Sequence, residues 1–412
     1  MPADPAVVDT DCCIVGGGPA GMMAGLLLAR AGVRVVVLEK HGDFLRDFRG
    51  DTVHPSTMQA MADLGLLDDF LKLPHTEVRA LSGQVGDEVV HLADFNGLKT
   101  AAPFIALMPQ WDFLDFLADA ARRYPTFDLR MNARAEGVIE RDGRVAGVRA
   151  ATPDGQMEVR ARLVIAADGR RSLLRDAAGL PVEDLGAPID VLWMRLSRRP
   201  ADDPEAPLGR ASAGRMFVTI PREGYYQCGY VAAKGGFEVI KAAGIEAFRR
   251  DVAQAAPMLA DRVGELASFD DVHLLTVAVD RLTRWSKPGL LCIGDAAHAM
   301  SPVGGVGINL AVQDAVAAAN ILHDAFALDD AALDERALAV QRRRLPPTKA
   351  MQSLQVLIQN RLIGAALSGR PLKAPAVMKL FERFPRLRRI PARVLGLGFR
   401  LERVTSPDAF SG

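Results

Sequence analysis

The sequence predicts an α/β protein with three parts: a Rossmann-like dinucleotide-binding domain, an inserted domain built on an antiparallel sheet, and a helical C-terminal region. Three observations carry this. Residues 11–39, DCCIVGGGPAGMMAGLLLARAGVRVVVLE, read as strand, glycine turn, helix and strand. Buried-strand patterns return at Leu163–Ala167 and Gly289–Ile293. Between them, residues 181–283 become richer in proline and in short strand-like runs (VLWMRLS, GRMFVTI, YYQCGYVAA), with one helix near Ile245–Gln254.

The first unit has the full dinucleotide-binding pattern. Cys12 to Val15 form an apolar run, and Gly16-Gly17-Gly18-Pro19-Ala20-Gly21 fits G-x-G-x-x-G. An apolar helix follows to about Arg30, then a strand at Val33–Leu38, and Glu39 comes 18 residues after Gly21. Gly16 permits the tight turn, Gly18 lets backbone approach a pyrophosphate, and Gly21 lets helix pack on sheet. The helix N-terminus offers free N–H groups and a positive dipole end to phosphates. Glu39 can accept a hydrogen bond from a ribose hydroxyl, and its charge disfavours a 2′-phosphate. The site therefore suits FAD or NAD, not NADP.

The next elements follow from local signals. A polar loop after Glu39, KHGDFLRDFRGDTVHPS, carries Lys40, Arg46, Arg49 and His54, the last read as a solvated loop residue. A helix starts near Ser56 or Thr57 as cap and ends near Gly65. Residues 75–105 read as a β-excursion, and Gln110–Tyr124 shows apolar positions at helical spacing. Residues 127–166 give short strands with turns at Asp142-Gly143 and Asp154-Gly155. Asp168 stops the strand in DGRRSLLR, where Arg175 reads as one half of an ion pair. GDAAH (Gly294 to His298) leads into SPVGGVGINLAVQDAVAAANIL, where His298 reads as a packing or hydrogen-bonding residue. Residues 335–404 read as mostly helical.

The chain of 412 residues is long enough for two domains, and 49% apolar residues suit a globular α/β core. Net charge is zero, so no long-range field favours nucleic acid. Cys12, Cys13, Cys228 and Cys292 show no metal-ligand spacing. They read as core residues in a reducing, cytoplasmic compartment. No secretory signal and no run of 18 apolar residues is present, so no transmembrane segment is expected.

Three motifs in this order, GGGPAG with Glu39, then DGRRSLLR, then GDAAHAMSPVGGVGINLAVQDA, resemble the single-component FAD-dependent aromatic hydroxylases, the group of para-hydroxybenzoate hydroxylase and the ubiquinone-pathway hydroxylases. The resemblance covers roughly residues 8–320. It implies a discontinuous FAD-binding domain over 1–180 and 284–330, a substrate-binding sheet over 181–283 and a helical cap over 331–412. It implies that Gly16, Gly18, Pro19, Ala20 and Gly21 cradle the FAD pyrophosphate, with Glu39 and Lys40 beside the adenosine ribose. Arg49 would reach FAD phosphates and Gln110 would lie near the flavin. Asp168 would serve FAD and pyridine nucleotide, and Asp295 would contact the ribityl chain. The loop from Pro302, with Gly304, Gly305, Gly307, Ile308 and Asn309, would pass along the isoalloxazine.

The resemblance also implies the reaction. NADH or NADPH, bound transiently, reduces FAD, and O₂ is used to hydroxylate an electron-rich ring. No second G-x-G-x-x-G appears over 140–170, which agrees with transient nucleotide binding. Trp193, Met194, Met216, Phe217, Tyr225, Tyr226 and Gln227 are candidate substrate-lining residues beside Pro302; no arginine–tyrosine pair for a benzoate carboxylate stands out, with Arg195 and Arg222 left open for that role. Alternation puts about half of the strand residues on the pocket face. Large apolar candidates suit an aromatic or polyketide-like small molecule. A dehydrogenase, reductase or halogenase on the same fold, and a non-catalytic flavin-binding protein, stay as alternatives; the halogenase signature W-x-W-x-I-P is absent. The C-terminal RFPRLRRIPARVLGLGFRLERV reads as a cap on the FAD domain, with peripheral membrane contact through 383–404 as the alternative.

Overall fold

The computed structural model describes residues 5–45, 52–203, 207–212, 214–367 and 375–411. Its central sheet is built on β1 (Ala6–Val15), which pairs in parallel with β2 (Val35–Leu38) and with the strand Gly155–Ala166. Phe127–Arg130 extends the parallel set on one side and Leu290–Cys292 on the other. The strands are apolar along their length because both faces are covered. Helix α1 (Pro19–Arg30), a helix at Gln110–Ala121 and another at Gly307–Leu322 cover this sheet. Gly25 is the reason α1 lies so close: a Cβ there would sit 2.9 Å from Val37 and Phe127. The four cysteines are all buried and free.

The second sheet has seven strands. Ile189–Ser197 pairs antiparallel with Tyr225–Ala233, which pairs with Arg215–Pro221. One face packs on the helix Ile245–Ala255, burying Leu192, Met194, Phe217, Tyr226 and Tyr230 against Phe248 and Val252. The opposite face carries Val191, Trp193, Met216 and Val231, packed with Val303 and Ile363.

Several expectations are corrected. The hairpin Ala80–Val85 and Glu88–Asp94, read as an excursion of the nucleotide domain, forms the edge of the second sheet. Its link is a parallel pairing of Gly83–Val85 with Gly209–Ala211, which no local pattern announces. The second helix is Pro55–Asp63: Pro55 opens it, His54 holds the cap position, and Ser56 and Thr57 lie buried in its first turn. The C-terminal region is mostly helical, as expected, with its last helix ending at Leu397. Gly398, at φ 74, ends that helix, and residues 398–411 run non-helically across the nucleotide domain. There Arg403 forks onto Asp63 at 2.6–2.9 Å, and Ala409 N donates to Arg30 O at 2.9 Å. Residues 303–322 are long and apolar enough by composition to cross a membrane, but they are 78% buried inside the fold.

Candidate functional site

The glycine turn leaves β1 with Gly16 at φ 108, where a Cβ would lie 2.3 Å from the carbonyl of Ala167. The turn therefore touches the residue just before Asp168, so the first two motifs are in contact. A Cβ on Gly21 would lie 1.9 Å from Gly16 O, which is the close helix-to-turn approach this motif requires. Gly18 differs: a Cβ there meets nothing within 4 Å. No side chain caps α1, and Pro19 opens it. The first-turn N–H groups are thus presented toward the open side of Gly18, a fit for an anionic pyrophosphate.

Glu39 directly follows β2 and is buried. Its carboxylate accepts from Gly17 N at 2.9 Å and from His41 N at 3.1 Å, which fixes it against the turn. Lys40 is exposed beside it. Arg46 and Arg49 lie outside the described residues.

The third motif closes on the first. Gly294, at φ 59, packs so tightly that a Cβ would sit 2.9 Å from Ala20 of α1. The half-exposed Asp295 carboxylate accepts from Arg170 Nε at 3.0 Å, which ties GDAAH to DGRR. Asp168 turns inward: its carboxylate accepts from the Ser172 hydroxyl and from Leu174 N. Burial pushes its pKa up, and those donors offset only part of the rise. Arg175 is 7% exposed and donates to Arg170 O at 2.9 Å, while its other nitrogen lies 3.8 Å from Asp280.

The loop before helix Gly307–Leu322 is held from both ends. Thr52 Oγ donates to Gly305 O at 2.8 Å. Asn309 Oδ1 accepts from His54 N at 2.9 Å and from Thr57 Oγ at 2.8 Å. This turns the Asn309 side chain toward the second helix. Gly304 is exposed, and Pro302 and Gly307 are half-buried. Gln355, from the helix Asp330–Ile358, donates to Ser301 O at 2.9 Å and Val303 O at 2.7 Å, and accepts from Ser301 N at 3.2 Å. Gln110 begins its helix half-buried, and among the described residues no hydrogen bond joins its side chain to these loops.

Of the substrate candidates, Trp193 and Met216 face the Val303 side of the second sheet. A Cβ on Gly229 would lie 3.1 Å from the Trp193 ring, so the indole lies across a bare stretch of strand. Tyr226 is corrected. It sits on the opposite face, 8% exposed, in the core under Ile245–Ala255, as do Met194 and Phe217. Strict alternation along the strand separates the two sets.

His54 is also corrected: it is fully buried, not solvated. Its Nδ1 is 2.8 Å from Leu395 O, so Nδ1 carries the proton and Nε2 is bare and without a partner. Burial lowers its pKa to about 4. The sign is that of a base harder to protonate when folded. Its contribution is complete above the unfolded value of about 6.5 and is lost as pH falls toward 4, by roughly 3 kcal/mol. Urea unfolding from pH 7 to 4 should show this slope, and His54→Gln should flatten it. An unchanged slope would remove His54 as its source.

The sequence reading missed a buried charge network behind the third motif. Asp314 is fully buried and accepts from Gly294 N at 3.1 Å, His298 Nε2 at 2.6 Å and Arg344 Nε at 2.9 Å. Arg344 continues to Glu402 at 3.4 Å, which Arg343 also grips at 2.7 Å. The His298 ring lies tilted against Trp285, with ring centroids 5.1 Å apart.

A family model described as an FAD binding domain matches residues 9–353. The chain belongs to this FAD-binding family. FAD is its cofactor, and the open Gly18 turn, Glu39 and the Asp295 loop form a cradle of fitting chemistry. A relative, 6-methylpretetramide 4-monooxygenase of Streptomyces rimosus, is 32% identical over 396 residues, 95% of this chain and 93% of that protein. The crystal structure of p-nitrophenol 4-monooxygenase PnpA from Pseudomonas putida DLL-E4 superposes with a TM-score of 0.75 at 21% identity, over 96% of this chain and 100% of that one. The flavin-dependent brominase Bmp2 superposes at 0.76 and 17% identity, over 97% and 96%. At such identities the superpositions show the fold alone, and the fold is common to oxygenating and halogenating flavoproteins.

Proposed function

We propose that this protein is an NAD(P)H-dependent FAD monooxygenase that hydroxylates an aromatic, polyketide-like small molecule. The observation that carries the reading is the apolar wall made by Trp193 and Met216, packed with Val303 at the start of the loop that would flank the isoalloxazine. A flat indole over bare backbone suits a planar ring system. The 32% identity across nearly the whole length of a monooxygenase named for a pretetramide substrate supports the same class.

When bound, FAD supplies the redox chemistry and the activation of O₂. The protein's part is to hold and enclose. The α1 N-terminus would take the pyrophosphate charge, Glu39 would take a ribose hydroxyl, and the Gly294–Asp295 turn would orient the ribityl chain. Backbone N–H groups of the 304–309 loop, other than Gly305 N, which donates to Pro302 O at 3.0 Å, would stabilise negative charge developing on the bound flavin. The wall of Trp193 and Met216 keeps water from the reacting ring.

The test is aerobic NADH and NADPH oxidation by the FAD-loaded protein with a panel of phenols, quinolones and anthraquinones, measuring peroxide alongside. One ring compound should speed oxidation and gain an oxygen atom. Failure of either nucleotide to reduce the bound flavin, with every compound tried, would overturn the reading.

A further inference from the structure

We propose that the C-terminal helices Ala376–Arg383 and Arg389–Leu397 form a docking plate for an anionic lipid bilayer. The inner side of the second of these helices supports the 302–309 loop, with Leu395 against Gly304 and its carbonyl on His54; the plate is the outer side of both helices.

The first observation is an amphipathic helix mounted the unusual way round. Helix Ile245–Ala255 shows the ordinary arrangement, with Phe248, Val252 and Ala255 buried in the second core. In Ala376–Arg383 the apolar stripe faces outward. Val377, Leu380 and the following Phe384 fall at i, i+3 and i+7, and they are 53%, 44% and 50% exposed. The contact with the sheet is made instead by Met378, which packs on Val90. The next helix repeats this. Ala392, Gly396 and Leu397 are buried, with Gly396 tight against Pro55, Phe95 and Leu98, while Ile390 on the far side is 61% exposed and Phe399 is 50% exposed.

The second observation is charge. Over residues 375–400 the basic side chains are Lys379, Arg383, Arg386, Arg388, Arg389, Arg393 and Arg400, and the only acid is Glu382, a net +6 in a chain whose total is zero. Glu382 is turned toward the sheet, where it accepts from His91 N at 2.6 Å and takes Arg388 at 2.8 Å. Arg383, Arg386, Arg389 and Arg393 are exposed and pair with no acid among the described residues.

Protruding Phe, Ile, Leu and Val side chains ringed by unpaired arginines match the interfacial region of an anionic membrane. The apolar groups enter the acyl boundary, and the guanidinium groups stay among the phosphates. The first of these helices packs through Met378 on Val90 of the hairpin at the edge of the second sheet, and it is the cluster of unpaired arginines around the exposed apolar groups that selects an anionic bilayer as the occupant.

The test uses the full-length, FAD-loaded protein and vesicles of phosphatidylcholine with and without phosphatidylglycerol, read by co-sedimentation. Binding should require phosphatidylglycerol and fall steeply with added salt. The triple variant Arg386→Gln, Arg389→Gln, Arg393→Gln should bind roughly 100-fold more weakly. Phe384→Ser with Ile390→Ser should weaken binding while leaving FAD content and thermal midpoint unchanged. Three outcomes would each overturn the proposal: equal pelleting with neutral vesicles, unchanged binding by the triple variant, or a dimer by light scattering that dissociates in the Ser variant without any lipid binding.

Discussion

Gly18→Val should abolish FAD retention while the apoprotein keeps its stability. The position has φ −77 and ψ −177, which any residue adopts, and a Cβ there meets no protein atom within 4 Å. The side chain would instead occupy the place where a pyrophosphate approaches the amides of the turn. Losing those charge-assisted bonds costs roughly 3 kcal/mol, a rise in the FAD dissociation constant of about 100-fold. Gly21→Ala is the internal control. Its Cβ would lie 1.9 Å from Gly16 O, and that oxygen belongs to backbone that cannot swing aside. This variant should lose about 1–3 kcal/mol of stability as well as cofactor. Flavin-fluorescence titration and calorimetry of the two apoproteins separate the cases. If Gly18→Val binds FAD like the parent, the pyrophosphate does not cross Gly18.

Arg344→Leu should be the most damaging substitution away from the cofactor. It strips Asp314 and Glu402, both buried, of their shared cation. Breaking a buried pair by removing one partner costs about 3–5 kcal/mol, here toward the lower end because Asp314 keeps His298 and Gly294 N and Glu402 keeps Arg343. Burial by itself raises the Asp314 pKa, but His298 and Arg344 together more than reverse this, and the net direction is down. A carboxylate with a lowered folded pKa contributes stability that is present above its unfolded value of about 4 and is lost as pH falls through that region. The difference between parent and variant should therefore be large at pH 7 and shrink toward pH 3. Guanidinium unfolding at both pH values measures it. A difference that does not change with pH would mean that the loss comes from packing and not from the charge. Since Asp314 also holds Gly294 N, the variant should release FAD faster, by relaxing the turn that leads to Asp295.

Much of the nucleotide domain was legible in order along the chain. β1, the glycine turn, α1, β2 and Glu39 are specified within 29 contiguous residues, by apolar runs, by glycines that sterics require and by one acid at fixed spacing. The strand at Leu290–Cys292 and the Gly294 turn were readable for the same reason: their signals are local. Among the site residues, the glycines and Asp295 fall in one region because the parallel order of the sheet brings the ends of β1, Gly155–Ala166 and Leu290–Cys292 together.

Tertiary structure decided what depends on pairing across distance. Alternation in Ile189–Ser197 and Tyr225–Ala233 announces two faces, but only the packing of Ile245–Ala255 on one of them assigns Tyr226 to the core and Trp193 to the Val303 side. The hairpin 80–94 joined the second sheet through a parallel contact to 209–211, more than a hundred residues away. His54 looked like a loop residue because its neighbours are polar, yet the Leu395 carbonyl and Asn309 enclose it. Nothing local in the sequence marks Asp314, Arg344 and Glu402 as a set. Burial makes them a unit, because in low dielectric a charge persists only where a partner from another element reaches it.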